Sequence, residues 1–593
     1  MLRWVARCLP GLSIIGLFLL LVFAFTNILT SQLWRSMFPP WVGQPFKEGW
    51  WSGLNIAQSV FIVYAVIIHI QMCSFTLRLA WSIFRVTAKT REALGRRPTK
   101  SLSVSPTPSA QDEGYSSQPI SPVSLPSPGP FSEKIDSMSI GSDIIEDELL
   151  HAIILPNYCE DLHTLETTLK VLASHPRAKS QYEIYLAMEQ KEAIAIEKAA
   201  HLVSTFERSF LHIRPTFHPS GIQGEIAGKS SNVAFAAKRI VQIHNAELRA
   251  ECCRVVVTVM DADTHLSCDY FTEIRRLHYS HIEDADRAIY CCPIIFDRNS
   301  NDTPILVRCA DLLWGFAGLS TMWPGTPISI PTSVYSLPLS LAEKVGGWDS
   351  DPTAIGEDMH MMLKCYFETA GNIICQVVYI PASQCNVSSD GSRGWRRTMD
   401  TLIARYRQAL RHMWGALDSG FAARRTLGYL RFHKRCSFLS LRHFALTHLL
   451  WEAHFLPCHL VIIMIFSVLY TVLTPSSQLH PTLARAFFIN DILRTSSFLG
   501  MNFCIALYDR WHAICLIARM KDMSEANVPD TGFSPRIWYK PQHLLERICF
   551  PIAGTLYGAI PALHAVFSHF FTDRLVYRVS KKPTFSLEAV GLA

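Results

Sequence analysis

The stretch from Arg254 to Asp263, RVVVTVMDAD, decides the fold of this chain. Arg254 to Met260 forms its clearest strand, because a short run of β-branched and apolar residues is typical of a strand buried on both faces. Asp261 and Asp263 follow directly. Two carboxylates one residue apart at a strand end can share a divalent cation, although many such triplets are solvated turns, and Mg²⁺ and Mn²⁺ prefer carboxylate and phosphate oxygens.

Strand and helix patterns alternate upstream of this stretch. His151 to Pro156 and Tyr182 to Met188 are short apolar runs typical of buried strands, while Leu162 to Ala173 and Lys191 to Phe206 have helical character. This alternation predicts an α/β fold with a mostly parallel sheet covered on both faces. Ligands of such sheets bind beyond the carboxyl ends of the strands, so the residues there are the candidates for chemistry.

An acidic pair, Glu160 and Asp161, follows the first predicted strand. A carboxylate at this point could accept hydrogen bonds from a nucleobase or a ribose. Asp161 also stands where an N-cap is expected for the helix that starts near Leu162. Both interpretations of Asp161 remain open.

A second acidic pair, Glu357 and Asp358, follows Gly356 and precedes a helical run from Met359 to Phe367. A carboxylate here could remove the proton from an acceptor hydroxyl. Acidic residues are also favoured at a helix N-terminus for electrostatic reasons alone. The pattern is compatible with either role.

Gly228 and Lys229 precede a predicted helix from Val233 to Ile243. The glycine permits a close backbone approach, and Lys229 could meet a phosphate or a base edge. A P-loop would need a glycine five residues before Gly228, and Gln223 stands there instead. An ATPase of that class is thereby disfavoured.

The segment from Arg405 to Trp414 (RYRQALRHMW) is basic and aromatic at helical spacing. Arg411 could pair with a diphosphate, and Trp414 could stack on a sugar face. The same pattern is typical of an amphipathic helix at a membrane surface. The two interpretations are compatible.

Apolar runs near both ends of the chain predict membrane segments. The candidates are Gly11 to Thr30, Leu54 to Leu79, Ala453 to Leu473, Ala486 to Leu507 and Cys549 to Phe571. Basic residues are concentrated after the second run, so the positive-inside rule places the N-terminus and the middle domain in the cytosol. Five spans would put Arg574 and Arg578 on the far side, so either one C-terminal run is re-entrant or interfacial or this tail breaks the rule.

Composition narrows the functional classes. The net charge is only +6 among 593 residues, without a dense basic block, so nucleic-acid binding is not expected. Seventeen cysteines are scattered without zinc-ligand or disulfide-framework spacing. We expect an N-terminal membrane region over residues 1–80, a disordered Ser/Pro-rich cytosolic linker over 81–147, a catalytic domain over 148–435 that ends in an interfacial helix, and a C-terminal membrane region over 436–593.

The motifs, taken in order, resemble the membrane-bound family-2-type glycosyltransferases, which include cellulose, chitin and hyaluronan synthases. The resemblance covers roughly His151 to Trp414: the acidic turn, the Gly-Lys turn, the DxD triplet, the Gly-Gly-Trp element at Gly346 to Trp348, the Glu-Asp pair and a QxxR element. Fungal members of the group are the most similar. The resemblance implies a GT-A-like domain flanked by transmembrane helices, and an integral multi-pass protein of the plasma membrane or the Golgi and other endomembranes.

The resemblance also implies an activity and a set of roles. The enzyme would be an inverting transferase that uses Mg²⁺ or Mn²⁺ and a nucleotide sugar, expected to be a UDP-sugar, to glycosylate a glycan or lipid acceptor at the bilayer, as in cell-wall or surface polysaccharide synthesis. The residues of the implied site are Asp161, Lys229, Asp261, Asp263 and Arg411 for the donor, Asp261 and Asp263 for the metal, Asp358 as general base with Glu357 in support, and Gln408 and Trp414 for the acceptor.

Two departures from the family pattern bear on the acceptor. The family's QxxRW element appears here as Gln408, Arg411 and His412, with Trp414 two residues late, and the usual threonine before the Glu-Asp pair is Gly356. The first departure leaves the acceptor site and processivity open. The alternatives are transfer of a single sugar to a lipid or a protein, a membrane scaffold with a degenerate transferase domain, and a metal-dependent hydrolase.

Overall fold

The computed structural model describes residues 2–26, 44–49, 51–96, 149–226, 228–246, 254–389, 394–433, 440–475, 477–528, 536 and 540–575. In this part of the chain, seven strands form a central sheet in the order β3-β2-β1-β4-β7-β5-β8, and β6 pairs with β9. The strands are β1 Leu150–Asn157, β2 Tyr182–Glu189, β3 His212–His218, β4 Val255–Val259, β5 Ala288–Cys291, β6 Ile294–Phe296, β7 Tyr335–Pro338, β8 Ile374–Val377 and β9 Ala382–Gln384. Strand β7 runs antiparallel to β4 and β5, whereas the pairs β1–β2, β1–β4, β2–β3, β5–β8 and β6–β9 are parallel. The predicted mostly parallel α/β sheet is confirmed.

Helices cover the sheet and extend from it at both ends of the chain. They are α1 Leu2–Arg7, α2 Leu9–Phe25, α3 Ile56–Gly95, α4 Leu162–Ala173, α5 Ala178–Gln181, α6 Ala195–Phe206, α7 Lys229–Ala246, α8 Cys268–Ser280, α9 Ile305–Leu319, α10 Leu339–Lys344, α11 Glu357–Glu368, α12 Trp395–Met413, α13 Leu417–His433, α14 Leu441–His454, α15 Leu456–Leu473, α16 Pro481–Glu525, α17 Pro541–Gly554 and α18 Ile560–Ser568.

Strands β1 and β4 form the buried centre of the sheet. Alternate side chains of β4 enter two different apolar clusters, with Val257 on one face and Val256 on the other. A strand buried on both faces needs an unbroken apolar sequence, which explains the apolar run of β4. Because Ile154 of β1 pairs in parallel with Val259 of β4, their carboxyl ends lie at the same sheet edge.

Within the part of the chain that the structure describes, three helical stretches are long and apolar enough to cross a membrane: α3, α15 and the run Pro541–Ser568. Helix α2 is apolar but shorter. The predicted run from Ala486 to Leu507 lies inside α16, which is not among the three. Helices α3 and α16 run side by side in the same direction, since Cys73 contacts Leu493 and Trp511 donates to Thr90.

Helix α3 continues well beyond its apolar part. It ends at Gly95, so the domain boundary predicted at residue 80 falls inside a helix. Thr90, which lies past this point, is buried, and its hydroxyl accepts a 3.1 Å hydrogen bond from the Trp511 indole. Residues 97–148, most of the predicted linker, lie outside the described residues.

Candidate active site at the carboxyl ends of the strands

A cavity of about 880 Å³ lies at the carboxyl ends of β1 and β4. It is lined by Asp261 and Asp263 after β4, by Lys229 at the first position of α7, and by Glu357 and Asp358 at the first turn of α11. The fold thus brings five predicted site residues from three separate segments into one cavity. The carboxylates of Asp261, Glu357 and Asp358 surround Lys229.

Lys229 is the central cation of this cluster. Its Nζ lies 2.8 Å from Asp261 Oδ1 and 3.3 Å from Glu357 Oε2, and it donates a 3.3 Å hydrogen bond to the carbonyl of Ser333. Burial disfavours the charge, but the surrounding carboxylates outweigh this and raise the lysine pKa above its ordinary value. Lys229 is therefore a permanent positive charge beside the aspartates.

Asp358 is held by main-chain donors. Its Oδ2 accepts a 2.7 Å hydrogen bond from the Ser333 N–H, and its Oδ1 accepts a 2.8 Å bond from the Met359 N–H. Ser333 has a φ of 62°, a left-handed conformation that is uncommon for a residue other than glycine. The side chain of Asp358 is partly exposed to the cavity, so a fixed carboxylate faces the space where a substrate would lie.

Glu357 is buried and linked to the core. Its Oε1 accepts a hydrogen bond from the Tyr335 hydroxyl, and that hydroxyl accepts a 2.6 Å bond from Trp348 Nε1. Burial raises the pKa of Glu357, while Lys229 opposes this shift. Both carboxylate oxygens therefore face protein groups, which suits a residue that positions Lys229 rather than one that meets substrate.

Asp261 and Asp263 offer the hard oxygen ligands that a divalent cation needs. Asp261 is partly exposed and its Oδ2 accepts a 3.4 Å hydrogen bond from Gln384 Nε2, whereas Asp263 is buried and accepts a 3.4 Å bond from the Cys385 N–H. Across the described residues, no group of three or more His, Cys, Asp or Glu side chains could hold a metal ion. The aspartate pair fits Mg²⁺ or Mn²⁺ if diphosphate oxygens complete the coordination.

Asp161 lies away from the cavity lining. Its exposed carboxylate accepts a 3.1 Å hydrogen bond from the His163 N–H and caps α4. The neighbouring Glu160 lines the cavity instead. In this structure the side chain of Asp161 therefore acts as an N-cap. Glu160 is the residue of this acidic pair that lines the cavity.

Gln408 and Arg411 line the cavity from α12, as expected, but Trp414 does not. Trp414 is buried; its Nε1 donates a 3.3 Å hydrogen bond to the Asp573 carbonyl, and its ring packs edge-on against His569 at 4.8 Å. Trp414 therefore lies outside the lining of this cavity, and its predicted acceptor role stays a prediction.

His412, rather than Trp414, is the aromatic residue near the end of α12 that lines the cavity. Its ring stacks on Trp314 of α9 with centroids 4.3 Å apart and an interplanar angle of 27°, and both residues line the cavity. A stacked aromatic pair of this kind can support a flat apolar or sugar face.

Sequence reasoning did not identify several residues of the site. Ser333 orients Asp358 through its main chain, Gln384 contacts Asp261, and Trp314 pairs with His412. Gln384 stands at the end of strand β9 and could have been found by applying the strand-end rule to that short segment. Ser333 and Trp314 have no local signal, because their roles arise from contacts between distant segments.

Residues 256–489 match the family model described as Glycosyl transferase family group 2. The matched region includes Asp261, Asp263, Asp358, Gln408 and Arg411. The match supports glycosyltransferase activity, and the chain is a glycosyltransferase. No curated protein matches the chain.

Solved structures similar to this chain include a mannosyltransferase, PcManGT from Pyrobaculum calidifontis in complex with GDP-Man and Mn²⁺, with 13% identity over 75% of this chain and 97% of that one and a TM-score of 0.37. TarS residues 1–349 from S. aureus has 11% identity over 60% of this chain and 91% of that one, with a TM-score of 0.27. A longer TarS structure has 13% identity over 59% and 55%, with a TM-score of 0.25. TM-scores this low support no inference about function.

Proposed function

We propose that this glycosyltransferase moves a sugar from a nucleotide-sugar donor to an acceptor held at the membrane, with inversion at the anomeric carbon. The observation that carries the proposal is the single cavity in which Lys229, Asp261 and Asp358 meet. The same cavity is lined by residues of α3 and α15, helices long and apolar enough to cross a membrane. A GT-A-like catalytic domain packed on membrane helices accounts for both features.

The donor half of the site consists of charges suited to a nucleoside diphosphate. Lys229 provides a fixed positive charge, and Arg411 lines the same cavity. A Mg²⁺ or Mn²⁺ ion held by Asp261 and Asp263 would neutralise charge on the diphosphate as it leaves. Since Lys229 now neutralises Asp261, we expect it to turn toward the diphosphate when donor binds.

Asp358 is the proposed general base. Its carboxylate takes the proton of an acceptor hydroxyl while the acceptor oxygen bonds to the anomeric carbon and the bond from that carbon to the diphosphate breaks. The two main-chain hydrogen bonds to Asp358 fix its orientation before substrate arrives. Glu357 acts through Lys229 and Tyr335 and is a positioning residue.

The C-terminal apolar run is proposed to lie along the cytosolic membrane surface rather than to cross it. Near its start, Glu546 forms an ion pair with Arg308 of the catalytic domain, and just after its end, Asp573 accepts the Trp414 indole N–H. Both ends therefore meet the same domain. The run is also bent, with Pro551 inside α17 and a π-helical turn at Thr555–Ala559. Four crossings, by α2, α3, α15 and α16, then leave the basic tail in the cytosol.

Nucleotide release tests the proposed reaction. The purified full chain would be given UDP- and GDP-sugars with Mn²⁺ or Mg²⁺ in the presence of membrane lipids. We expect release from one donor, and a loss of at least about 100-fold in Asp263→Asn. Equal release by this variant, or no release from any donor by folded protein, would contradict the proposal.

A further inference from the structure

The cavity has an apolar part below the charged site. It continues between α15 and α16, where Arg494, Thr495, Ser497 and Asn502 of α16 line it together with six large apolar side chains. These side chains are Leu456, Leu460 and Met464 of α15, and Phe498, Met501 and Ile505 of α16. The α15 residues recur every four positions and share one helix face, while Ile465 and Leu469 on other faces are exposed. The space beside the carboxylates is thus continuous with an apolar space among membrane helices.

This apolar space is closed at its far end. On α3 the lining begins at His69, although the helix starts at Ile56; on α15 it reaches Met464, although the helix continues to Leu473. At about 1.5 Å per residue, about 14 to 20 Å of each helix lies beyond the cavity. On α16, likewise, the lining begins at Arg494 in a helix that starts at Pro481. Among the residues that the structure describes, the cavity therefore ends partway along these helices.

An aromatic cluster fills the space beyond this end. Phe61 packs against Phe25 and Phe466 with ring centroids 5.2 and 5.6 Å apart, and Tyr470 lies 4.7 Å from Phe25 and 6.2 Å from Phe487. A growing polysaccharide would need an open path with polar groups to replace its hydration. A blind apolar cavity instead fits a hydrocarbon chain.

We propose that the acceptor is a lipid, with its hydrocarbon chain in the apolar part of the cavity and its nucleophilic oxygen at Asp358. This inference rests on the proposed function and names its acceptor class. The acceptor oxygen forms a bond to the anomeric carbon as the nucleoside diphosphate leaves. If the oxygen belongs to a hydroxyl, its proton passes to Asp358; a phosphate oxygen has no proton to give. Arg405 also lines the cavity; its Nε lies 3.0 Å from Asp311 Oδ1, and its buried Nη1, which has no hydrogen-bond partner within the described structure, can donate to a headgroup oxygen.

Chain length of the acceptor tests the proposal directly. The full chain would be placed in nanodiscs of dioleoyl phosphatidylcholine, which has no free hydroxyl or phosphate monoester, with the donor found by nucleotide release. Dodecyl phosphate and dodecyl β-glucoside would be compared with methyl phosphate and methyl β-glucoside. We expect at least about ten-fold more product with a dodecyl acceptor than with its methyl counterpart, and the productive pair identifies the headgroup. Equal turnover with methyl acceptors, or polysaccharide as the product, overturns the proposal while glycosyl transfer itself stands.

A matched pair of variants tests where the hydrocarbon chain of the acceptor lies. Leu460→Trp fills the apolar part of the cavity, whereas Ile465→Trp adds the same side chain on an exposed face of the same helix. We expect Leu460→Trp to lower transfer to the dodecyl acceptor about ten-fold and Ile465→Trp to leave this transfer unchanged. Unaltered transfer in Leu460→Trp, or an equal loss in both variants, overturns the placement. If no nucleotide is released from the donor by wild type or by either variant, the proposed function itself is contradicted.

Discussion

At the scale of single residues, the acidic turn after β1 offers a sharp comparison between neighbours. Glu160 lines the cavity, whereas Asp161 caps α4. Glu160→Gln should raise the KM for donor about ten-fold, because a hydrogen bond to a charged group is worth about 1.5–3 kcal/mol. Asp161→Asn should leave KM unchanged, because asparagine is an equally good N-cap. Steady-state kinetics of both variants check this, and the opposite ranking would return Asp161 to the donor site.

His412 and Trp414, the two aromatic residues near the end of α12, also differ in whether they line the cavity. His412→Ala should raise the KM for acceptor, because it removes the stack on Trp314. Trp414→Phe should keep turnover within about two-fold while lowering stability by about 1 kcal/mol through the lost hydrogen bond to Asp573. Acceptor titrations and thermal melts separate the two effects. A selective acceptor defect in Trp414→Phe would contradict the placement of that ring.

The strand-end carboxylates and the lysine could be predicted from sequence, because a buried strand points its following residues to one known edge. The positions of the Asp161 and Trp414 side chains outside the cavity lining could not be predicted in this way. Trp414 follows Arg411 by three residues and would share its face on a continuing helix, but α12 ends at Met413 and a 3₁₀ turn carries the tryptophan into the core. Helix ends are decided by tertiary packing that local patterns do not contain.

At the scale of elements, α11 carries both acidic residues and is anchored by a buried histidine. His360 Nε2 lies 3.2 Å from Asp349 Oδ2, and its Nδ1 lies 2.5 Å from Asp418 Oδ1 of α13. Burial disfavours its charge, but Asp418 and Asp349 raise the pKa of His360 from 6.5 to about 9. The charged histidine therefore ties α11 to α13.

The stability of the protein should depend on this histidine at alkaline pH. A raised folded-state pKa contributes stability that is complete below pH 6.5 and is lost as the pH rises toward 9. We expect the thermal midpoint to fall across that window. In His360→Asn the midpoint should be lower at pH 6 and should change less between pH 6.5 and 9. A wild-type midpoint that is constant or rises over this range would contradict the anchoring role.

Two glycines of α13 test how the N-terminal helix packs. A Cβ at Gly420 would collide with the main chain of Ala6 in α1, whereas a Cβ at Gly428 meets no atom within 4 Å. Gly420→Ala should therefore lower the thermal midpoint, since main-chain atoms must shift. Gly428→Ala should raise stability by up to about 1 kcal/mol through helix propensity. Equal effects of the two substitutions would mean that α1 does not pack there.

At the scale of the whole molecule, the position of the C-terminus follows from whether Pro541–Ser568 crosses the membrane. Five apolar runs predicted from the sequence conflict with the positive-inside rule. The proposed topology removes this conflict, because Glu546 and Asp573 both contact the catalytic domain and the two ends of the last run would then lie on one side. Hydropathy alone measures whether a segment prefers an apolar environment and does not record what its ends contact.

A tag-accessibility experiment tests this topology. We expect an epitope after Ala593 and one inserted near Ser121 in the linker to be labelled under the same condition, in which the label reaches only the cytosolic face of the membrane. An epitope inserted near Ser476, between α15 and α16, should require access to the opposite face. Labelling of the C-terminal epitope with the Ser476 epitope would establish a fifth crossing.

The most direct test is the comparison of wild type and Asp358→Asn in two assays, donor binding by calorimetry and sugar transfer to an acceptor whose nucleophile is a hydroxyl, such as dodecyl β-glucoside. Asparagine keeps the size and an acceptor oxygen but cannot take a proton. We expect unchanged donor affinity and a loss of turnover of at least about 100-fold. Turnover within a few-fold of wild type, with donor still bound, would contradict the central claim that Asp358 is the base of a glycosyl transfer in this cavity.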